Sequence, residues 1–174
     1  MTEDQLIIVI LRLVVPLLIL RYPLVGGVTA MVLDALDVVL IDLIGGGFTG
    51  IYSRVDKSLD LYYLSLEFLV ALRWVSPYAR WPAIGLFVYR AIGVIAFEIT
   101  QQRVILFAFP NQFESWWLYC LVTARFWPHQ YPHSWRSVLV PMALLLVPKM
   151  GQEYLLHYRE AAPWTWMKRN VLGV

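Results

Sequence analysis

The sequence predicts an all-α polytopic integral membrane bundle of about six spans, with a short first helix and a broken fifth helix. Of the 174 residues, 60% are hydrophobic and 15% are charged, and the mean hydropathy is +0.63. Soluble domains usually contain about 25% charged and about 45–50% apolar residues. The eight Trp and ten Tyr residues are typical of the aromatic belts that form where a membrane meets water. The composition therefore predicts one compact domain in lipid.

Prolines and glycines divide the apolar sequence into the predicted spans. The first run, 6–20, is short for a span and is interrupted by Arg12 and Pro16. The later spans are predicted at 24–44, 59–75, 81–99, 104–127 and 138–158. Pro110 breaks the fifth span, and the Gly-rich segment 45–50 connects the second span to the third.

The distribution of cations predicts the orientation and the partners. Residues 1–160 are expected to form the transmembrane domain and residues 161–174 an interfacial tail. With the N-terminus inside, cytoplasmic segments hold seven cations and outer loops five, which favours both termini on the cytoplasmic side of a bacterial-type inner membrane. The net charge of +2 is scattered, so no nucleic acid is expected. The expected partners are the lipid bilayer and either a second copy of the chain or the subunits of a membrane complex.

Acidic residues lie within the second predicted span and at the start of the third. They are Asp34, Asp37, Asp42, Asp56, Asp60 and Glu67. A carboxylate near the middle of a span costs about 2.5–3.5 kcal/mol, whereas each Leu or Val returns only about 0.3–0.6 kcal/mol. Helical spacing places the acids of the third span on one stripe with Tyr63, and places Asp34 beside Asp37 on one face of the second span. We expect at least two of these carboxylates to approach within about 4–6 Å.

Two interpretations of this acidic cluster are compatible with the sequence. In the first, the carboxylates bind a cation, and the candidate ligands are Asp34, Asp37, Asp56 and Asp60. Mg²⁺ or Mn²⁺ would then be the cofactor, because hard cations favour carboxylate oxygens, and without metal the acids would carry protons. In the second, nearby cations neutralise the acids in structural ion pairs. These cations are Arg12, Lys57, Arg73 and Arg90.

Arg90 is the cation nearest the centre of the fourth predicted span. An unpaired guanidinium in hydrocarbon is costly, so it must meet an anion or water. The most plausible partners are Asp37 and Glu67 on the two preceding helices. Arg90 and Glu67 are therefore candidate ligand-binding residues as well.

Besides Tyr63, further polar residues are secondary candidates for binding a ligand or an ion. Asn111 and Glu114 follow the break at Pro110, and broken helices at membrane depth occur where the backbone meets protein or a wet cavity. Glu153 and His157 lie one turn apart, with Lys149 one turn earlier. They suit a metal site or a proton relay, although an ordinary surface salt bridge is the simpler expectation.

Asp34, Asp37, Asp56 and Asp60 follow the order DxxD, turn, DxxxD. This order resembles the layout of the CDP-alcohol phosphatidyltransferases. The resemblance implies that four aspartates on the second and third of six helices bind two metals beside a cytidine nucleotide. The chain has Val38 where the family has Gly, and Ile41-Asp42 where the family has Ala-Arg.

Three functions follow from these observations. Because the transferase signature is incomplete, the sequence favours a transport-type protein: a cation or proton pathway, or a binding site for a cationic ligand. The alternative is a divalent-metal-dependent transferase or hydrolase that acts on lipid headgroups. The third is a structural subunit of a larger membrane complex.

Overall fold

The computed structural model describes residues 3–43 and 50–159, together with Trp166 and Asn170. Within these residues, the side chains of 3–5, 38, 41–43, 50–54 and 157 are not described. The Gly-rich connection predicted at 45–50 lies outside the described residues except for Gly50. The predicted tail, 161–174, lies outside them except for Trp166 and Asn170.

The described chain is all-helical, as the sequence predicts. The α-helices are α1 (Glu3–Val14), α2 (Pro23–Leu43), α3 (Gly50–Ala71), α4 (Pro77–Thr100), α5 (Val104–Ala108), α6 (Gln112–Phe126) and α7 (Trp135–Glu153). Two 3₁₀ segments, Val15–Leu20 and Pro128–Gln130, and one π-helical turn, Tyr154–Tyr158, complete the described elements. The fifth predicted span is divided into α5 and α6, with Pro110 between them.

The chain turns sharply between α1 and α2. Pro16 lies in the 3₁₀ segment that follows α1, and Pro23 begins α2. Gly26 then faces the backbone of the 3₁₀ segment so closely that a Cβ atom there would overlap Ile19 and lie 2.5 Å from the carbonyl carbon of Leu18. This contact places α2 directly against the segment that carries the chain out of α1.

The apolar core lies at the end of the bundle where α3 ends and α4 begins. Phe113, Trp116 and Trp117 of α6 are completely buried there. The two indole groups donate hydrogen bonds to backbone carbonyls, Trp116 to Ala79 (3.1 Å) and Trp117 to Glu67 (2.8 Å). Buried indoles usually find such acceptors, and these two tie α6 to both α3 and α4.

Fewer helices qualify as membrane spans by length and composition than the six spans that the sequence predicts. Among the described residues, α4 is the one helix that is both long and apolar enough to cross a bilayer, and the apolar segment Leu6–Leu20 is shorter. Helices α2 and α3 have 21 and 22 residues, which is sufficient length. The five charged residues of α3 make it too polar to count as a span by composition, and in α2 the side chains of 38 and 41–43 are not described.

Candidate functional site

Four aspartates converge where α2 and α3 meet. Asp34 and Asp37 come from α2, and Asp56 and Asp60 come from α3. Carboxylate oxygens of Asp34, Asp56 and Asp60 all lie within 4.8 Å of one another. The predicted approach of these carboxylates is therefore confirmed, while their role as ligand-binding residues stays a prediction. Asp42, another acid of the second predicted span, has a side chain outside the described part of the chain.

The guanidinium of Arg12 lies among these four carboxylates. Its Nη1 donates to Asp37 (2.5 Å) and to Asp56 (2.5 Å). Its Nη2 donates to Asp60 (2.6 Å) and to Asp34. Arg12 is only 3% exposed, so α1 delivers a buried cation to the interface between α2 and α3. We name Arg12 and the four aspartates the Asp cluster.

Lys57 supplies the second cation of the Asp cluster. Its Nζ lies 2.8 Å from an oxygen of Asp56 and 2.9 Å from an oxygen of Asp60. Arg12 and Lys57 each contact more than one carboxylate of the cluster. Ion pairing by these two cations is thus present among the described side chains.

A second polar cluster forms between α3, α6 and α7. The Tyr63 hydroxyl donates to Glu114 (2.7 Å), and the Asn111 side-chain amide donates to the other oxygen of Glu114 (3.0 Å). Lys149 lies 3.7 Å from Glu114 and 3.8 Å from Glu153. The backbone N–H of Asn111 donates to Glu153 (2.9 Å). We name these five residues the Glu cluster; it unites four of the secondary candidates.

The salt bridge expected on α7 is present between Lys149 and Glu153, but it is buried rather than at the surface. Glu153 is 3% exposed, because α7 turns this face toward the break between α5 and α6. Asn111 is also buried, and the N–H group freed at the break finds its acceptor in Glu153. His157 belongs to the π-helical turn after α7, and its side chain lies outside the described residues.

Glu67 is the most deeply enclosed acid of the described chain, at 0% exposure. Neither carboxyl oxygen has a hydrogen-bond partner among the described residues. The side chain lies beside Trp117 and Gly27, where a Cβ atom on Gly27 would overlap the Trp117 ring and lie 3.4 Å from a Glu67 oxygen. Gly27 therefore leaves the room that the carboxyl group and the indole share.

The predicted pairing of Arg90 with Asp37 or Glu67 is wrong. Arg90 is buried, but its Nη1 donates to the backbone carbonyl of Phe109 (2.7 Å), and no ion pair with a carboxylate occurs within the described residues. The neighbouring Tyr89 donates to the carbonyl of Ala108 (2.6 Å). The last carbonyls of a helix lack intrahelical donors, and the short helix α5 ends at these two. Arg90 thus stabilises the helix break.

Three cations of the two clusters were not among the predicted site residues. Arg12 and Lys57 were considered only as counter-ions, and Lys149 only as part of a surface pair. The signal for Arg12 was present, since a cation interrupts an apolar run just before Pro16. Its partners lie 22 to 48 residues away in sequence, so only the packing of three helices identifies them.

Comparison with protein-family models, with curated proteins and with solved structures finds no match for this chain. The chemistry of the site therefore has to be inferred from its own groups. Carboxylates, a phenol and two kinds of cation in buried surroundings can bind cations and exchange protons.

Proposed function

We propose that this chain is a small multi-pass integral membrane protein whose buried polar groups form a cation or proton pathway of the transport type. The observation that carries the proposal is the hydrogen bond between Tyr63 and Glu114. Tyr63 lies one turn after Asp60 on α3, so its hydroxyl connects the helix of the Asp cluster to the Glu cluster. We name the two clusters together with Glu67 the polar row.

The membrane environment is supported by an inverted distribution of polarity. Charged side chains are inside, with Arg12 3% and Glu67 0% exposed. Large apolar side chains are outside, with Ile99 of α4 79% exposed and Val147 of α7 75% exposed. In water, an apolar exterior of this kind would drive aggregation, whereas in lipid it is the expected surface. On this basis α2, α3 and α7 also cross the bilayer.

The polar row extends through about half of the bilayer. Asp56 and Glu67 are separated by three turns of α3, or about 16 Å, whereas the hydrocarbon core is about 30 Å thick. The remaining depth is filled by the apolar core around Trp116 and Trp117. The arrangement therefore favours a site that is open to one side at a time, as in a transporter, over a continuous pore.

A topology measurement tests the membrane placement. Reporter fusions before Met1 and after Val174 should both be active on the cytoplasmic side, because six spans return the chain to its starting side. A fusion in the connection between α6 and α7, at 128–134, should report the opposite side. Termini on opposite sides would contradict six spans.

Removing one hydroxyl group tests the pathway. Tyr63→Phe keeps the ring packed and removes the donor to Glu114, so uptake of protons into liposomes under an imposed membrane potential should slow about tenfold, the factor for one hydrogen bond of about 1.4 kcal/mol. Tyr62→Phe is the matched control, because the Tyr62 hydroxyl donates to the carbonyl of Leu13 outside the polar row. Equal rates for the two variants would contradict the pathway.

A divalent-metal-dependent reaction on lipid headgroups is the second candidate, and the spacing of Asp34, Asp56 and Asp60 within 4.8 Å favours it. These oxygens suit Mg²⁺ or Mn²⁺, but Arg12 already binds all three carboxylates. Metal and guanidinium would exclude one another there. Headgroup transfer or hydrolysis that requires Mn²⁺, without ion uptake by liposomes, would support this candidate and overturn the first.

A further inference from the structure

A groove of about 460 Å³ lies at the end of the bundle opposite the Asp cluster. One wall is formed by residues 21–25, where the chain enters α2, and the other by Leu121, Ala124 and Arg125 near the end of α6. The lining is mainly apolar, with a guanidinium on each wall. This groove shares no residue with the polar row.

The two arginines of the groove are available for an anion. Neither Arg21 nor Arg125 forms an ion pair with a carboxylate of the described chain. Each guanidinium lies over a neighbouring ring instead, Arg21 at 5.6 Å from the centre of Tyr22 and Arg125 at 5.8 Å from the centre of Phe126. Stacking orients the planar groups, whose N–H donors match the oxygens of a phosphate group.

An exposed apolar stripe leads away from the groove along α2. Val25 lies in the groove itself, and the stripe continues through exposed Val28, Val32 and Leu36 at helical spacing. It is about 16 Å long, which is comparable to an acyl chain. The same end of the bundle exposes Tyr22, Phe126 and Trp127, aromatic residues of the kind that lie at headgroup level.

We infer that the groove binds an anionic phospholipid, with its phosphate between Arg21 and Arg125 and an acyl chain along the α2 stripe. Two cations without acidic partners are complementary to a lipid that carries net negative charge, and the stripe is complementary to its tail. The inference rests on the membrane placement proposed above but not on the cation pathway.

Lipid retention in detergent tests the inference. Wild-type protein should retain phosphatidylglycerol over phosphatidylcholine by at least about tenfold in native mass spectrometry, because each cation near a lipid headgroup contributes about fivefold. The double variant Arg21→Gln/Arg125→Gln should lose this preference. The matched control is Arg73→Gln/Arg80→Gln at the same end of the bundle, since Arg80 also lies over a ring, at 5.9 Å from the centre of Trp81, but is outside the groove.

The outcomes separate this inference from the proposed function. The lipid site is overturned if Arg21→Gln/Arg125→Gln keeps the preference for phosphatidylglycerol. It is also overturned if Arg73→Gln/Arg80→Gln loses that preference to the same extent. Loss in the groove variant alone supports it, whatever the rate of ion uptake. Wild-type protein that stays monodisperse in water without detergent overturns the membrane placement, and the lipid site with it. Absence of ion uptake with normal lipid retention overturns the cation pathway alone.

Discussion

Arg12→Ala should destabilise the protein by about 3–5 kcal/mol, the cost of removing one partner from a buried ion pair. Arg12 is the shared donor of four carboxylates, and without it Lys57 is the one cation among the described side chains that still contacts Asp56 and Asp60. The measurement is the free energy of unfolding in mixed micelles, with a denaturing detergent as titrant. Arg12→Lys should recover part of the loss, because an ammonium group lacks the planar fork that reaches several carboxylates.

Two comparisons show whether the loss comes from the Asp cluster. Arg103→Ala removes an exposed arginine at the start of α5 and should change stability by less than about 0.5 kcal/mol. Mg²⁺ should restore part of the stability of Arg12→Ala, since the vacated position lies among carboxylate oxygens within 4.8 Å of one another, and should leave Arg103→Ala unchanged. Equal losses in Arg12→Ala and Arg103→Ala would show that the ion pairs contribute little.

Gly26→Ala should be the most damaging of the small substitutions, with a loss of about 3 kcal/mol in the free energy of unfolding. The added methyl group would overlap the backbone of Ile19, and a backbone segment cannot rotate away as a side chain can. This overlap could be relieved only if α2 moved away from the segment that follows α1. That movement would also withdraw Arg12 from Asp34 and Asp37.

Gly85→Ala is the control for this substitution. Gly85 also lies within a helix, and a Cβ atom there meets nothing within 4 Å. Replacing an interior helical Gly by Ala usually stabilises by about 0.5–1 kcal/mol. The free energy of unfolding should therefore fall for Gly26→Ala and rise for Gly85→Ala. A loss at Gly85 equal to that at Gly26 would contradict the close contact between α2 and Ile19.

The sequence predicts the helices well because their ends are decided locally. Pro23 begins α2 and Pro110 separates α5 from α6, since proline lacks the N–H group that a helix interior needs. The approach of α2 to α3 also follows from helical spacing and the antiparallel connection. Each of these inferences uses residues within a few turns of one another.

The partners of the buried groups could not be predicted in the same way. Arg12 and Asp60 are 48 residues apart, and Tyr63 and Glu114 are 51 apart, so their contacts depend on how whole helices pack. The partner of Arg90 could not be predicted for a different reason. Its acceptor is a backbone carbonyl, which every residue carries, and only the end of α5 at Phe109 makes that carbonyl available.

The buried indoles of Trp116 and Trp117 form a septum across the bundle. A membrane that stores an ion gradient cannot tolerate a leak, and a water-filled passage beside the polar row would short-circuit it. Because both rings are anchored, to the carbonyl of Ala79 on α4 and to that of Glu67 on α3, the septum opens only if α6 shifts against both helices. In the proposed pathway, therefore, an ion would pass Glu67 only during a rearrangement that first breaks these two hydrogen bonds.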